Sequence, residues 1–181
     1  MKQLGSTDLK RLHREWRRRS PARVGLVLDR VAQPFNVGAI LRSAAAMRVT
    51  DVWLVDDTPG PEHAKVGKTA LGAERYLELH RIEGDGVAAV RAASAAGYTT
   101  IGVELADGAR PLHELDLGPD VCLVVGHEDR GLTTATLDAC DAVAFLPQLG
   151  RIGSLNVSTA TAVALYEVRR REWTGDPVDP A

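Results

Sequence analysis

Apolar residues along this chain fall into two alternating patterns. Short continuous runs, such as Val24-Gly25-Leu26-Val27-Leu28-Asp29 and Val121-Cys122-Leu123-Val124-Val125, have the length and β-branched content of strands buried on both faces. Val52–Val55, Tyr76–Ile82, Thr99–Leu105 and Val143–Leu146 extend the series. Between them the period changes. Val37, Ile40, Leu41, Ala44 and Met47 recur at helical spacing, so a helix is expected from Val37 to Met47 with Asn36 as its cap. Residues 86–96 form an Ala-rich helix ended by Gly97, and shorter helices are expected near 62–71 and 133–139. A closing helix from Leu155 to Arg171 carries Val157, Ala160, Ala164 and Val168 on one stripe. An N-terminal helix over 7–19, capped by Ser6 or Thr7, stops at Ser20-Pro21. The alternation predicts an α/β fold, a parallel sheet with helices on both faces. The chain divides into a basic helical extension (1–22), one domain (23–173) and a Pro/Asp-containing tail (174–181) expected to be disordered.

Composition narrows the chemistry. Aromatics are 4% of residues against 45% hydrophobic, so the core is built from small aliphatic side chains that suit close helix-on-sheet packing. The two cysteines, Cys122 and Cys140, form no CxxC pair, and the five histidines (13, 63, 80, 113, 127) lack metal-ligand spacing; no metal is expected. No apolar run approaches the ~20 residues that cross a bilayer, and the basic, polar N-terminus lacks a secretory signal's apolar stretch, so a cytoplasmic location is the default. The formal charge of −2 conceals a polarity: residues 1–30 hold nine Lys/Arg against three Asp/Glu, the remainder thirteen against twenty-one. Arg11, Arg14, Arg17, Arg18 and Arg19 concentrate that charge on one helix, as a phosphate-binding face or as an ordinary solvated one.

In open α/β sheets ligands bind beyond the carboxyl ends of the strands, and the distinctive residues collect there. There is no GxGxxG opening a helix, no GxxxxGK[ST] and no GxSxG, which weakens dinucleotide, P-loop and hydrolase readings. Three other segments stand out: Asn36-Val37-Gly38-Ala39-Ile40-Leu41-Arg42; Val124-Val125-Gly126-His127-Glu128-Asp129-Arg130-Gly131-Leu132; and Leu146-Pro147-Gln148-Leu149-Gly150-Arg151-Ile152-Gly153-Ser154-Leu155-Asn156-Val157-Ser158. In this order, at the ends of these strands, they resemble the N-x-G-x-x-x-R, G-x-E-x-x-G and P-x-x-G…S-L-N-V-S signatures of the SpoU/TrmH branch of the SPOUT RNA methyltransferases. The resemblance runs from about Val24 to Arg171.

That resemblance implies a SPOUT-like parallel sheet whose segment from about Val121 is threaded as a C-terminal trefoil knot, a homodimer, and transfer of a methyl group from S-adenosylmethionine (AdoMet) to a ribose 2′-hydroxyl of RNA. The absence of a large appended RNA-binding domain points to tRNA, a D-loop guanosine first. It implies catalytic roles for Arg42, Asn36, Glu128, Ser154 and Asn156, with Glu128 holding Arg42 or bordering the AdoMet pocket and Ser154 touching Arg42. Val103, Gly126, Leu146, Ser154 and Leu155 match AdoMet-binding positions, and the arginines at 11, 14, 17, 18 and 19 become candidate RNA contacts. Gly38, four residues before Arg42, is expected to leave open space beside the guanidinium; Gly126, Gly150 and Gly153 either let backbone approach a ligand or serve turn geometry. Departures from the pattern are Ala46-Met47-Arg48, His127 and Glu104, the last two within reach of the pocket's electrostatics. The competing readings are a catalytically silent RNA-binding relative, an rRNA methyltransferase and a small-molecule α/β enzyme.

Overall fold

The computed structural model describes residues 3–174. Seven strands, β1 (Val24–Asp29), β2 (Asp51–Val55), β3 (Glu78–Ile82), β4 (Thr99–Val103), β5 (Arg110–Pro111), β6 (Val121–Val125) and β7 (Ala142–Phe145), form one sheet in the order β3-β2-β1-β6-β4-β7-β5. Every pairing is parallel. The helices are α1 (Ser6–Arg18), α2 (Pro34–Ala46), α3 (Ala64–Ala70), α4 (Gly86–Ala95), α5 (Thr134–Ala139) and α6 (Val157–Thr174). The two late strands sit between earlier ones: β6 separates β1 from β4, and β7 separates β4 from β5.

The continuous apolar runs become strands buried on both faces, and their alternation splits the core in two. Leu26, Leu28, Leu54, Leu123 and Val125 face Ile40, Leu41, Val66 and Leu165 of α2, α3 and α6. Val27, Trp53, Val55 and Val124 face Ala89, Val90 and Ala93 of α4, with Leu137 of α5 alongside. Side chains two residues apart share a face of the sheet, which is why one run feeds both layers. β5 has only two residues, too short to leave a periodic signal. The predicted strand over 76–82 begins two residues late because Ala73–Tyr76 forms a 3₁₀ turn.

Four local expectations are corrected. α1 begins at Ser6 with Gly5 as its N-cap, so neither Ser6 nor Thr7 caps it. α2 begins at Pro34, with Gln33 as its N-cap, so Asn36 lies inside the first turn and does not cap the helix. Proline at the first helical position loses no hydrogen bond there and pre-sets φ. Gly38 leaves no open space: a Cβ there would run into Thr69 Oγ1 and the Val66 carbonyl, so this glycine lets α3 pack against α2. The closing helix starts at Val157, because Asn156 takes the cap.

At the amino end of the sheet, Arg169 of α6 is 2% exposed. Its Nε donates to the Met47 carbonyl (2.8 Å), Nη1 to the Ala22 carbonyl (2.9 Å) and to Glu172 Oε1 (2.6 Å), and Nη2 to the Arg48 carbonyl (2.7 Å). One side chain thus ties α6 to the entrances of β1 and β2. Helix α1 has no buried residue. The Trp16 and Trp173 rings meet edge-on at 5.1 Å, and Arg48 Nη1 donates to the Arg17 carbonyl at 3.2 Å, fixing the end of α1 to the body. The expected tail lies, but for the backbone of Thr174, outside the described residues.

Candidate functional site

The carboxyl ends of β4, β6 and β7 release three loops that enclose a cleft of about 350 Å³. Val103, Gly126, Leu146, Ser154 and Leu155 all line it, as do Glu104 and Glu128. Residues up to 52 positions apart in sequence, Val103 to Leu155, therefore converge on one volume, within the ~300–1,000 Å³ typical of small-molecule sites.

Glu128 is the hub of one wall. Its Oε2 accepts the Ala32 N–H (3.0 Å), and its Oε1 accepts the Gln33 N–H (3.0 Å) and Asn36 Nδ2 (2.8 Å). Those backbone donors lie where α2 begins, so this carboxylate supplies the capping that Gln33's own side chain does not. Asn36 Oδ1 in turn accepts from Asn156 Nδ2 at 3.1 Å. The Asn156 Oδ1 accepts from Ser158 N (2.9 Å) and Ser158 Oγ (2.6 Å), capping α6. The chain Glu128–Asn36–Asn156 thus joins the three signature segments through side chains. Burial pushes the Glu128 carboxyl up, but the hydrogen bonds from Asn36 and from the backbone N–H groups outweigh it and hold the pKa below the usual glutamate value.

A carboxylate whose folded pKa is depressed contributes stability that is present above its unfolded pKa, ~4.3, and is lost as pH falls through the folded value. Glu128→Gln should lower stability by about 1–2 kcal/mol at pH 7, since a carboxamide turns one acceptor into a donor facing N–H groups. Below pH ~4 the difference between variant and wild type should shrink. Thermal unfolding followed by circular dichroism at several pH values checks both. A gap that widens toward low pH would sink this assignment of the depressed carboxylate.

The opposite wall is held by Glu104. Its Oε2 accepts the Leu132 N–H at 3.1 Å, and its Oε1 accepts the Leu105 N–H at 3.1 Å. The residue that departs from the family pattern is therefore a strut between the β4 and β6 loops; sequence spacing carries no sign of the partnership. His127 Nδ1 accepts the Asp129 N–H at 3.1 Å, an internal bond of the turn. A Cβ on Gly126 would meet the backbone of Gly131 and Leu132, so turn geometry requires that glycine. Gly150 and Gly153, by contrast, have essentially open space beside them.

Arg42 is exposed on α2 and does not line the cleft of its own chain. It has no hydrogen bond or ion pair with any described residue, so neither Glu128 nor Ser154 holds it within one chain. Ser154 is exposed on the cleft's rim. The five arginines of the N-terminal segment divide. Arg17 turns back, its Nε donating to the His13 carbonyl at 3.3 Å, and Arg19 covers the Trp16 ring at 4.4 Å. Arg11, Arg14 and Arg18 lie on the opposite side of α1 from its apolar stripe Leu9, Leu12 and Trp16.

The pairing of β2 with β3, which no local spacing shows, sets Asp51 opposite Glu78 and brings His80 near, with their ligand-capable atoms within 4.8 Å of one another. Asp51 is already engaged, with His80 Nε2 at 2.8 Å and the Tyr98 hydroxyl donating at 2.6 Å. This cluster lies at the amino end of the sheet, away from the cleft. No helix among the described residues is long and apolar enough to cross a membrane.

The model of the SpoU rRNA Methylase family matches residues 23–166. The tRNA (guanosine(18)-2′-O)-methyltransferase of Escherichia coli strain K12 is 33% identical over 146 residues, 80% of this chain and 62% of that protein. The 23S rRNA (guanosine-2′-O-)-methyltransferase of Pseudomonas aeruginosa is 35% identical, over 81% of this chain and 58% of its own. The crystal structure of an AdoMet-bound rRNA methyltransferase from Sinorhizobium meliloti superimposes with a TM-score of 0.76 at 30% identity, covering 82% of this chain and 56% of that one. The chain spans about three fifths of the length of the relatives it matches.

Proposed function

This chain belongs to the SpoU methylase family, and from that premise we propose that it transfers a methyl group from AdoMet to a ribose 2′-hydroxyl of RNA, with tRNA as the first substrate to test. One observation carries the reading: the loops lined by Val103, Gly126, Leu146, Ser154 and Leu155 enclose a single cleft, which the Glu128–Asn36–Asn156 bonds join to the helix bearing Arg42.

The cleft suits AdoMet chemically. Glu104, Glu128 and Asp129 place carboxylates around it, matching the donor's cationic sulfonium and ammonium, while the open flanks of Gly150 and Gly153 leave room for backbone to meet a flat adenosine. When bound there, AdoMet supplies an electrophilic methyl group. As the new O–CH3 bond forms and the S–CH3 bond breaks, the protein must position the attacking hydroxyl and stabilise the charge while its proton passes to solvent water. A guanidinium stays protonated throughout, so Arg42 serves as a stabiliser of the developing alkoxide and its neighbouring phosphate, and not as a proton acceptor. Because Arg42 is exposed and lies outside its own cleft, the site is completed by Arg42 of a second copy in a homodimer. Exposed Val163 and Tyr166 on α6, and Leu149 and Ile152 in the loop, offer apolar surface for that association. The inserted positions of β6 and β7 support the trefoil-knotted topology. The basic α1 and the E. coli tRNA-modifying relative make tRNA the first substrate to test, ahead of rRNA, and the cytoplasm is where such RNA is met.

Incubation of the protein with isotopically labelled AdoMet and total RNA, followed by nucleoside mass spectrometry, tests the reading. The expected product is a 2′-O-methylated nucleoside in the tRNA fraction. A base-methylated product, or AdoMet binding without incorporation into any RNA, overturns it; label confined to ribosomal RNA keeps the chemistry and changes the substrate.

A further inference from the structure

A second cleft, of about 480 Å³, lies at the amino end of the sheet, walled by α1, the turn between α2 and β2, and the end of α6. Lys10, Arg17 and Arg48 line it together with Trp16, Tyr76 and Trp173, and no carboxylate does. A cleft that mixes aromatic rings with unopposed cations has the composition of a single-stranded nucleic-acid site, where bases stack on rings and the backbone follows the charges.

The side chains differ in what they have left to offer. Arg169, also at this wall, spends its guanidinium on carbonyls and Glu172 and is structural. Arg48 commits Nη1 to the Arg17 and Ser20 carbonyls, while its other nitrogens have no partner among the described residues. Lys10 has none either. Trp16 is covered on one side by Arg19 and meets the edge of Trp173. The Tyr76 ring, 75% exposed, makes no ring contact and no side-chain hydrogen bond with a described residue. An aromatic ring with no ring contact and no side-chain hydrogen bond among the described residues, held on a 3₁₀ turn beside these cations, has a face open to stack on a ligand.

We infer that this cleft is an RNA-binding subsite in which one unpaired base stacks on Tyr76 against the Trp16–Trp173 wall, while its flanking phosphates meet Lys10, Arg17 and Arg48. The inference rests on the proposal that RNA is the substrate and adds where, besides the catalytic cleft, the RNA is gripped. The two clefts lie at opposite ends of strands of five or six residues, roughly 15–20 Å apart along the strand axis. An RNA occupying both within one chain must therefore span several nucleotides, so the subsite selects for an unpaired base at a distance from the modified ribose.

The experiment uses the full chain and a short single-stranded oligoribonucleotide of mixed sequence. Trp16 and Trp173 stand in the cleft and Trp53 is buried elsewhere, so tryptophan fluorescence reports occupancy directly. The wild type should show saturable quenching. Tyr76→Ala should weaken binding about tenfold, within the range for loss of one stacked base, and Tyr76→Phe, which keeps the ring, should restore it. Lys10→Glu should weaken binding and reduce the slope of log affinity against log salt by about 0.7 for a lost phosphate contact. AdoMet affinity measured by calorimetry should stay at the wild-type value in all three variants, which shows that the other cleft is intact. Unchanged oligonucleotide affinity in both Tyr76→Ala and Lys10→Glu, or an absence of quenching in the wild type, overturns the subsite. Quenching that follows these variants in a protein that methylates no RNA supports the subsite and counts against the proposed activity instead.

Discussion

Arg42→Ala is expected to reduce methyl transfer by about 10²–10³-fold, the scale of losing one preorganised stabiliser of developing negative charge, with AdoMet affinity unchanged. The two effects separate because Arg42 is exposed on α2 and does not line the cleft formed by its own chain. Its removal opens no cavity and leaves no partner unpaired among the described residues. Arg42→Lys keeps the charge but loses the planar fork, so near-wild-type activity in that variant would exclude a bidentate contact to alkoxide and phosphate. A mixing experiment locates the arginine. Gly153→Trp should fill the cleft, since nothing occupies the space beside that glycine. Neither the Arg42→Ala nor the Gly153→Trp protein alone should transfer methyl groups at an appreciable rate. Mixed dimers would carry one intact cleft facing one intact Arg42, restoring roughly a quarter of wild-type activity if sites form across a two-fold interface. No recovery on mixing, with mixed dimers verified by mass spectrometry, would return Arg42 to its own chain's site.

The largest expected stability effect belongs to a residue remote from the chemistry. Arg169→Met should destabilise the fold by about 3–5 kcal/mol, the cost of breaking a buried charge network from one side. For a domain of this size that lowers Tm by about 10 °C or more, measurable by calorimetry. Methionine keeps much of the aliphatic volume but leaves the Ala22, Met47 and Arg48 carbonyls without this donor and Glu172 without its ion-pair partner. A surface comparison decides whether burial or charge pairing is responsible. Arg23 pairs with Asp120 at 2.9 Å, but its side chain is 44% exposed, so Arg23→Met should lower Tm far less than Arg169→Met does. Equal losses at the two arginines would show that the buried carbonyl contacts contribute nothing beyond the ion pair.

The strand positions could be read along the chain because each is a continuous apolar run whose ends coincide with polar or turn residues, and burial on both faces of a parallel sheet demands that composition. β1 and β6 match residue for residue. The two-residue β5 and the start of α2 could not be read in this way. Asn36 offers a good local cap, but Pro34 favours the first helical position, and Glu128 reaches the backbone ahead of it from 95 or 96 residues away. Gly38 and Gly126 look alike as signature glycines. One is required by a neighbouring helix and the other by the backbone of its own turn, and only the packed neighbours tell them apart.

For the site, local order along the chain determined which residues are chemically able to act and at which ends of which strands they emerge. Side-chain period and turn chemistry are local and placed the strand ends; the cleft-lining residues and Arg42 came forward as candidates through the resemblance of three segments to the SpoU/TrmH signatures. Tertiary structure alone decided the pairings: Asn36 with Glu128 and Asn156, Glu104 with Leu132, and the Tyr76 ring beside Lys10 and Arg48. Hydrogen bonds and charges act over a few ångströms of space whatever the separation along the chain, and Asn36 and Asn156 stand 120 residues apart in sequence but 3.1 Å apart in the fold.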